Sequence, residues 1–227
     1  MRLLLFDIDG TLLTSNGAAG PAILRALSDL VGRPITLNGI SFSGKTDPLI
    51  VQEILRANDV PEDQVAALLP HALQAYATLA SAAITADTVR ALPGAAALLD
   101  VLAPQENTHL GLLTGNLERT AYLKLDAVGL GRYFTFGAFG SDDGDRNALP
   151  PVACRRAGAA LNRPVALQDA VIIGDTPRDI ACGRAHGCRT VAVATGAFDA
   201  DALAAHAPDT LLPDLNDTRA VLTALVG

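Results

Sequence analysis

Two carboxylates two residues apart, Asp7 and Asp9, follow the apolar run Leu3-Leu4-Leu5-Phe6, and Gly10 and Thr11 come directly after them. An extended chain repeats every two residues, so both carboxylates project from one side of it. Like charges held that close raise each other's pKa unless a cation neutralises them. Hard carboxylate oxygens suit magnesium. Gly10 lets the backbone turn, and Thr11 adds a hydroxyl beside the pair. The set has the makings of a metal-assisted phosphoryl-transfer site. The competing reading is an Asx-type turn closing a strand, since Asp and Gly both favour turns.

Two later apolar runs end in similar chemistry. Thr114, Gly115 and Asn116 follow His109 to Leu113; Gly174, Asp175 and Thr176 follow Ala170 to Ile173, with Asp179 one helical turn on. In open parallel sheets, ligands bind beyond the carboxyl ends of the strands. Asp7 can attack phosphorus, forming an aspartyl-phosphate, and can give magnesium an oxygen. Asp9 can protonate a leaving oxygen and later activate water, while its backbone carbonyl offers magnesium another oxygen. The Thr114 hydroxyl and the amide of Gly115 can hold a phosphoryl oxygen. Asp175 is a metal ligand, and Asp179 either binds the ion or orients Asp175 or a bound water. Gly10, Thr11, Gly115 and Asn116 are the candidate substrate-binding positions of these turns.

The elements that must position these residues alternate. Strands are expected at Leu3 to Phe6, His109 to Leu113, Phe134 to Phe139, Ala170 to Ile173, Thr190 to Ala194 and around Thr210 to Leu212. Helical periodicity covers Gly94 to Ala103, Asn116 to Val128, Pro150 to Leu161, Pro177 to His186, Ala200 to His206 and Asp217 to Leu225. Strand-helix alternation implies an α/β fold with a parallel sheet covered on both faces. Residues 15–92 interrupt it with helical patterns at Ala18 to Val31, Pro48 to Asn58 and Pro61 to Ala83, and no strand is expected there. The expected organisation is a catalytic core of residues 1–14 and 93–227 with a helical cap of residues 15–92.

The composition narrows the function classes. The 227 residues are 50% hydrophobic and 18% charged, so the chain can bury a core, and a net charge of −7 argues against a nucleic-acid surface. An anionic substrate must then be held by local positive charge. The three cysteines, Cys154, Cys182 and Cys188, form no C-x-x-C pair and read as buried small hydrophobes in a reducing compartment. With no signal-peptide pattern and no membrane-length apolar run, the expected location is cytoplasmic.

Asp-Ile-Asp-Gly-Thr after the first strand, Leu-Leu-Thr-Gly-Asn after the second and Gly-Asp-Thr-Pro-Arg-Asp after a later one resemble the haloacid dehalogenase superfamily in order and spacing. The resemblance implies a Rossmann-like core with an inserted helical cap, obligatory magnesium and a covalent aspartate. It makes Asp7 the nucleophile, Asp9 the general acid/base, Thr114 the phosphate-binding hydroxyl, and Asp175 and Asp179 the acidic metal site. True dehalogenases of that superfamily lack the second aspartate, so Asp9 points to phosphate esters.

The family's usual lysine between the second and third motifs is missing. Arg146 occupies that stretch and is the expected cation, although arginine is no neutral swap for lysine. Lys124 is the rival, but its helix is expected to turn it to solvent. Asp142, Asp143 and Asp145 read as a solvated acidic loop that anchors Arg146. Lys45, in the cap, either belongs to a capping loop or reaches over the core to the substrate's anionic end. Gly39 and Gly44-Lys45-Thr46 fit a Walker string formally, yet no strand precedes them and the reading is rejected. His71, His109, His186 and His206 show no metal spacing.

The expectation is a magnesium-dependent phosphatase, monomer or homodimer, acting on a small phosphorylated metabolite such as phosphoglycolate or a sugar phosphate. Phosphoglycolate rests on family analogy alone. The alternatives are a phosphomutase of the β-phosphoglucomutase kind and, more distantly, a non-catalytic regulatory binding module.

Overall fold

The structure is a computed structural model that describes residues 1–15, 17 and 19–226. The chain runs β1 (Arg2–Phe6), β2 (Leu13–Thr14), α1 (Ala19–Val31), α2 (Asp47–Ala57), α3 (Glu62–Ala83), β3 (Arg90–Ala91), α4 (Ala95–Leu102), β4 (Thr108–Leu113), α5 (Glu118–Ala127), β5 (Gly137–Ala138), α6 (Leu149–Leu161), β6 (Ala170–Gly174), α7 (Pro177–Arg184), β7 (Arg189–Val193), α8 (Ala200–Ala204), β8 (Thr210–Leu212) and α9 (Thr218–Val226). The expected helix at Ala18 begins outside the described residues.

Six parallel strands form one sheet in the order β5-β4-β1-β6-β7-β8. β1 lies in the middle: Leu4 pairs with Leu110 on one side and Val171 on the other. The pleat sends alternate residues to opposite faces. Leu4, Phe6, Leu112, Val171 and Ile173 join a large apolar cluster with Leu98 and Leu99 of α4, Leu125 of α5 and Leu225 of α9. Leu3, Leu5, Ala170 and Ile172 pack on the other face against Ala153 and Ala157 of α6 and Cys182 of α7. Both faces are covered, which is why these strands read as unbroken apolar runs. The fold is α/β and Rossmann-like, as the alternation implied. All three cysteines are buried free thiols. No described helix is long and apolar enough to cross a membrane.

Helices α1 and α2 both pack on α3, and Ile23, Leu27, Ile54 and Tyr76 extend the large cluster among them. Two expectations need correction. Arg90–Ala91 is a strand, although none was expected in residues 15–92: it pairs antiparallel with Leu13–Thr14 and lays the outgoing and returning chain side by side. Two residues are too short to show a period. The strand expected over Phe134 to Phe139 shrinks to Gly137–Ala138, preceded by a 3-10 turn at Gly131–Tyr133. Phe134 leaves the ladder to set its ring edge-on to Phe6, 6.1 Å between centroids.

Candidate active site

Asp7 leaves the end of β1, Asp175 leaves the end of the adjacent β6, and Asp179 stands in the first turn of α7. Neighbouring parallel strands end together, so the three carboxylates meet: one oxygen from each lies within 4.8 Å of the others, and all three side chains are buried. Thr176 caps α7 and fixes Asp179, whose Oδ2 accepts from the Thr176 hydroxyl (2.6 Å) and backbone N–H (3.0 Å). The Thr11 hydroxyl donates to Asp175 Oδ1 at 3.2 Å. Glycines shape the cradle. A Cβ on Gly10 would stand 2.3 Å from Asp175 Oδ2, and one on Gly196 would stand 1.7 Å from it.

Arg146 is buried beside this group. Its Nη2 lies 3.2 Å from Asp7 Oδ1, contacts Asp179 Oδ1, and donates to the Leu113 carbonyl at 3.2 Å. It is not anchored by the acidic run. Asp142 instead pairs with Arg156 at 2.6 Å, and Asp145 caps the turn by accepting from Asn147 N–H at 2.9 Å. One guanidinium cannot balance three carboxylates. Burial pushes Asp7 up to about 6; Arg146 opposes this, while Asp179 and Asp9 add to it. Burial, then repulsion from Asp7 and Asp179, pushes Asp175 up to about 8. With all ionised, the group carries two surplus negative charges. Hard oxygen donors, the small residues around them and that charge fit a divalent cation.

Asp9 faces away from this group. Its Oδ1 accepts from Ser15 Oγ at 2.9 Å; its Oδ2 accepts from Asn116 Nδ2 at 2.8 Å and from Lys124 Nζ at 2.7 Å. Burial alone would raise Asp9, but the charge and hydrogen bond of Lys124, with those of Asn116 and Ser15, hold its carboxyl below the ordinary value. The Asp9 carboxylate therefore lies outside the three-carboxylate group. Lys124 corrects the expectation that it points to solvent: it is buried and also donates to Asn116 Oδ1 at 2.6 Å. Two helical turns separate it from Leu117, so it shares the inward face. Thr114 Oγ1 accepts from Asn116 Nδ2 at 2.8 Å, which leaves its own proton free to donate.

The loop before α2 is seated on these turns. The Asp47 N–H donates to the Gly115 carbonyl at 2.7 Å, and Asp47 Oδ2 accepts from Leu117 N–H at 2.8 Å. Thr46 N-caps α2 and donates to the Gly144 carbonyl at 2.6 Å. A Cβ on Gly115 would stand 2.0 Å from the Lys45 carbonyl, so the approach needs glycine there. Burial pushes Asp47 up to about 6, against the pull of Lys124. The Lys45 ammonium is paired with Glu53 of α2. The sequence reading weighed Lys124 but turned it to solvent, took Asp47 for a helix cap, and passed over the Thr195–Gly196 loop. The last follows β7 and obeys the same strand-end rule as the others, with the Thr195 hydroxyl donating to the Gly10 carbonyl at 2.5 Å.

Between these turns and the helical segment lies a cavity of about 830 Å³, lined by Asp7, Asp9, Thr114, Lys124, Arg146 and Asp175 at its inner end. Parallel strands that deliver acids from adjacent ends, under an inserted helical segment, define a family of hydrolases. The sequence profile described as haloacid dehalogenase-like hydrolase matches residues 4–184, and the chain belongs to that family.

Among curated relatives, a phosphoglycolate phosphatase of Cereibacter sphaeroides is 31% identical over 186 residues, covering 81% of each chain. Phosphoglycolate phosphatase 1 of Pseudomonas aeruginosa is 27% identical over 225 residues, covering 95% of this chain and 78% of that one. Among solved structures, a hydrolase from Pseudomonas syringae shares the fold with a TM-score of 0.71 at 22% identity over the whole of both chains. A β-phosphoglucomutase from Clostridium difficile does so with a TM-score of 0.69 at 20% identity, over 95% of this chain and 92% of that one.

Proposed function

We propose that this enzyme is a phosphatase that hydrolyses a small phosphate monoester through a covalent phosphoryl group on Asp7. The family membership and the phosphatase names of its relatives support this, and the observation that carries it is the buried meeting of Asp7, Asp175 and Asp179 beside Arg146. A magnesium ion held by Asp7, Asp175, Asp179 and the Asp9 carbonyl would supply positive charge against the transferring phosphoryl group.

The chain's own groups do the rest. Arg146 keeps Asp7 ionised and in place for attack on phosphorus. The Thr114 hydroxyl and Gly115 N–H hold a phosphoryl oxygen. Asp9 rests ionised against Lys124. The arriving phosphate dianion raises its pKa, so Asp9 takes up a proton from solvent and passes it to the departing alkoxide. Asp9 then draws a proton from water, which attacks the phosphoryl-aspartate and restores Asp7. Residues 15–92 act as a cap over residues 1–14 and 93–227, and the seated loop at Gly44–Asp47 excludes bulk water during transfer. A phosphomutase would need a second anion-holding patch across the cavity; among the described residues there, Pro21, Leu24, Leu37, Ile40, Phe42 and Ile50 are apolar and Lys45 is already paired with Glu53.

The test is phosphate release from a panel of esters with magnesium, combined with Asp7→Asn. The expected result is release by the wild type, a phosphorylated protein trapped on rapid acid quench, and neither in the variant. Wild-type turnover by Asp7→Asn would end the covalent reading.

A further inference from the structure

We infer that the alcohol part of the substrate is an apolar group of several carbons, not a carboxylate-bearing fragment. This rests on the phosphatase reading and deepens it. The cavity's inner end is polar, but its far wall is built from Pro21, Leu24, Leu37, Ile40, Phe42 and Ile50. These side chains come from α1, the loop before α2, and α2 itself. Leu24, Leu37, Ile40 and Phe42 are half-buried and pack on the large core cluster, so the wall has a firm backing.

Charge argues the same way. Among the described residues lining the cavity, the cations are Lys45, Lys124 and Arg146. Each is already paired: Lys45 with Glu53, Lys124 with Asp9, Arg146 with Asp7 and Asp179. Lys124 and Arg146 sit at the phosphoryl end, where the reaction uses them. A carboxylate reaching the far wall would lose its water and gain no unpaired cation, and burying an unpaired charge is costly. An alkyl or aryl group there removes apolar surface from water on both sides. Size agrees, since about 830 Å³ falls within the range of roughly 300–1,000 Å³ that holds drug-sized ligands. A phosphoryl group carrying a two-carbon acid would leave most of that space to water.

The experiment measures kcat/KM by phosphate release, with magnesium, for ethyl, butyl and hexyl phosphate and for phosphoglycolate. The three alkyl esters share nearly one leaving-group basicity, so differences among them report binding. Each added methylene should raise kcat/KM about two- to fourfold until the wall is covered. Hexyl phosphate should then exceed phosphoglycolate by about tenfold or more. In Ile40→Asp and Phe42→Ala the hexyl-to-ethyl ratio should collapse toward one. A flat alkyl series, or phosphoglycolate as the best substrate, overturns this inference and leaves the phosphatase reading standing. A steep series that both variants preserve overturns the assignment to this wall. Absence of release from every ester removes the phosphatase reading and this inference with it.

Discussion

Gly196→Ala separates the position of one carboxylate from the stability of the fold. The new Cβ would stand 1.7 Å from Asp175 Oδ2, 2.6 Å from its Cγ and 3.1 Å from its Cβ, whereas ordinary contact begins at 3.4 Å. Oδ2 must therefore withdraw by at least 3.4 − 1.7 = 1.7 Å. Displacements of about 1 Å at a reacting centre cost on the order of 10²-fold in rate, so turnover should fall at least that far. Overpacking should cost the fold only about 1–3 kcal/mol. Gly187→Ala is the control. Gly187 also has positive φ (+66°), but a Cβ there meets nothing within 4 Å. It should lose about 1 kcal/mol to backbone strain and keep full turnover. The assays are kcat at saturating magnesium, a magnesium titration and thermal melting of both variants. Wild-type turnover and wild-type magnesium affinity in Gly196→Ala would refute the claim that Asp175 must stand where it does.

Two further outcomes follow from the charges. Lys124→Met leaves Asp9 without its cation, so kcat should fall about 10²-fold and the acid limb of its pH profile should move upward; Lys124→Arg should not restore either, since the ammonium fits between Asp9 and Asn116 where a planar fork does not. An unmoved pH profile in Lys124→Met would show that the pair is structural only. In metal-free protein, Asp7 and Asp175 have folded-state values of about 6 and about 8 against an unfolded value of 3.8, so the folded state binds more protons between these limits. Stability should then decline as pH rises from about 4 to 8, and saturating magnesium should flatten the decline. Melting temperatures with chelator and with magnesium check this, and parallel curves would refute it.

The strand-end acids were legible because one rule covers them. Asp7, Thr114 and Asp175 each follow an apolar run, and adjacent parallel strands must end at a common rim. Arg146 was legible from charge, because so many carboxylates demand a cation nearby. What was misplaced or passed over was set by tertiary contact. Lys124 sits on the same face as Leu117, but a charged residue in an amphipathic helix reads as solvent-facing until a buried partner such as Asp9 is known. Asp47 looks like an ordinary helix-start residue, and only the docked loop shows it meeting Leu117. Arg90–Ala91 is a strand only because Leu13–Thr14 lies beside it. Phe134 has strong strand propensity, and the ring of Phe6 overrides it.

The place of β1 in the sheet has a cost that falls on synthesis. Its run of leucines ending in phenylalanine is made well before its two neighbours, which pair through residues from 108 and from 170 onward. At about 5–20 residues per second, the wait for the second neighbour is on the order of 10–30 s. One edge of this greasy, uncharged segment stays open to other chains throughout that interval, and the other until residues 108–112 are made, with Arg2 and Asp7 flanking it as gatekeepers. Asp7 is thus synthesised long before Asp175 and Asp179, and a truncation before residue 170 would leave the β6 edge of β1 unpaired and the three-carboxylate group incomplete.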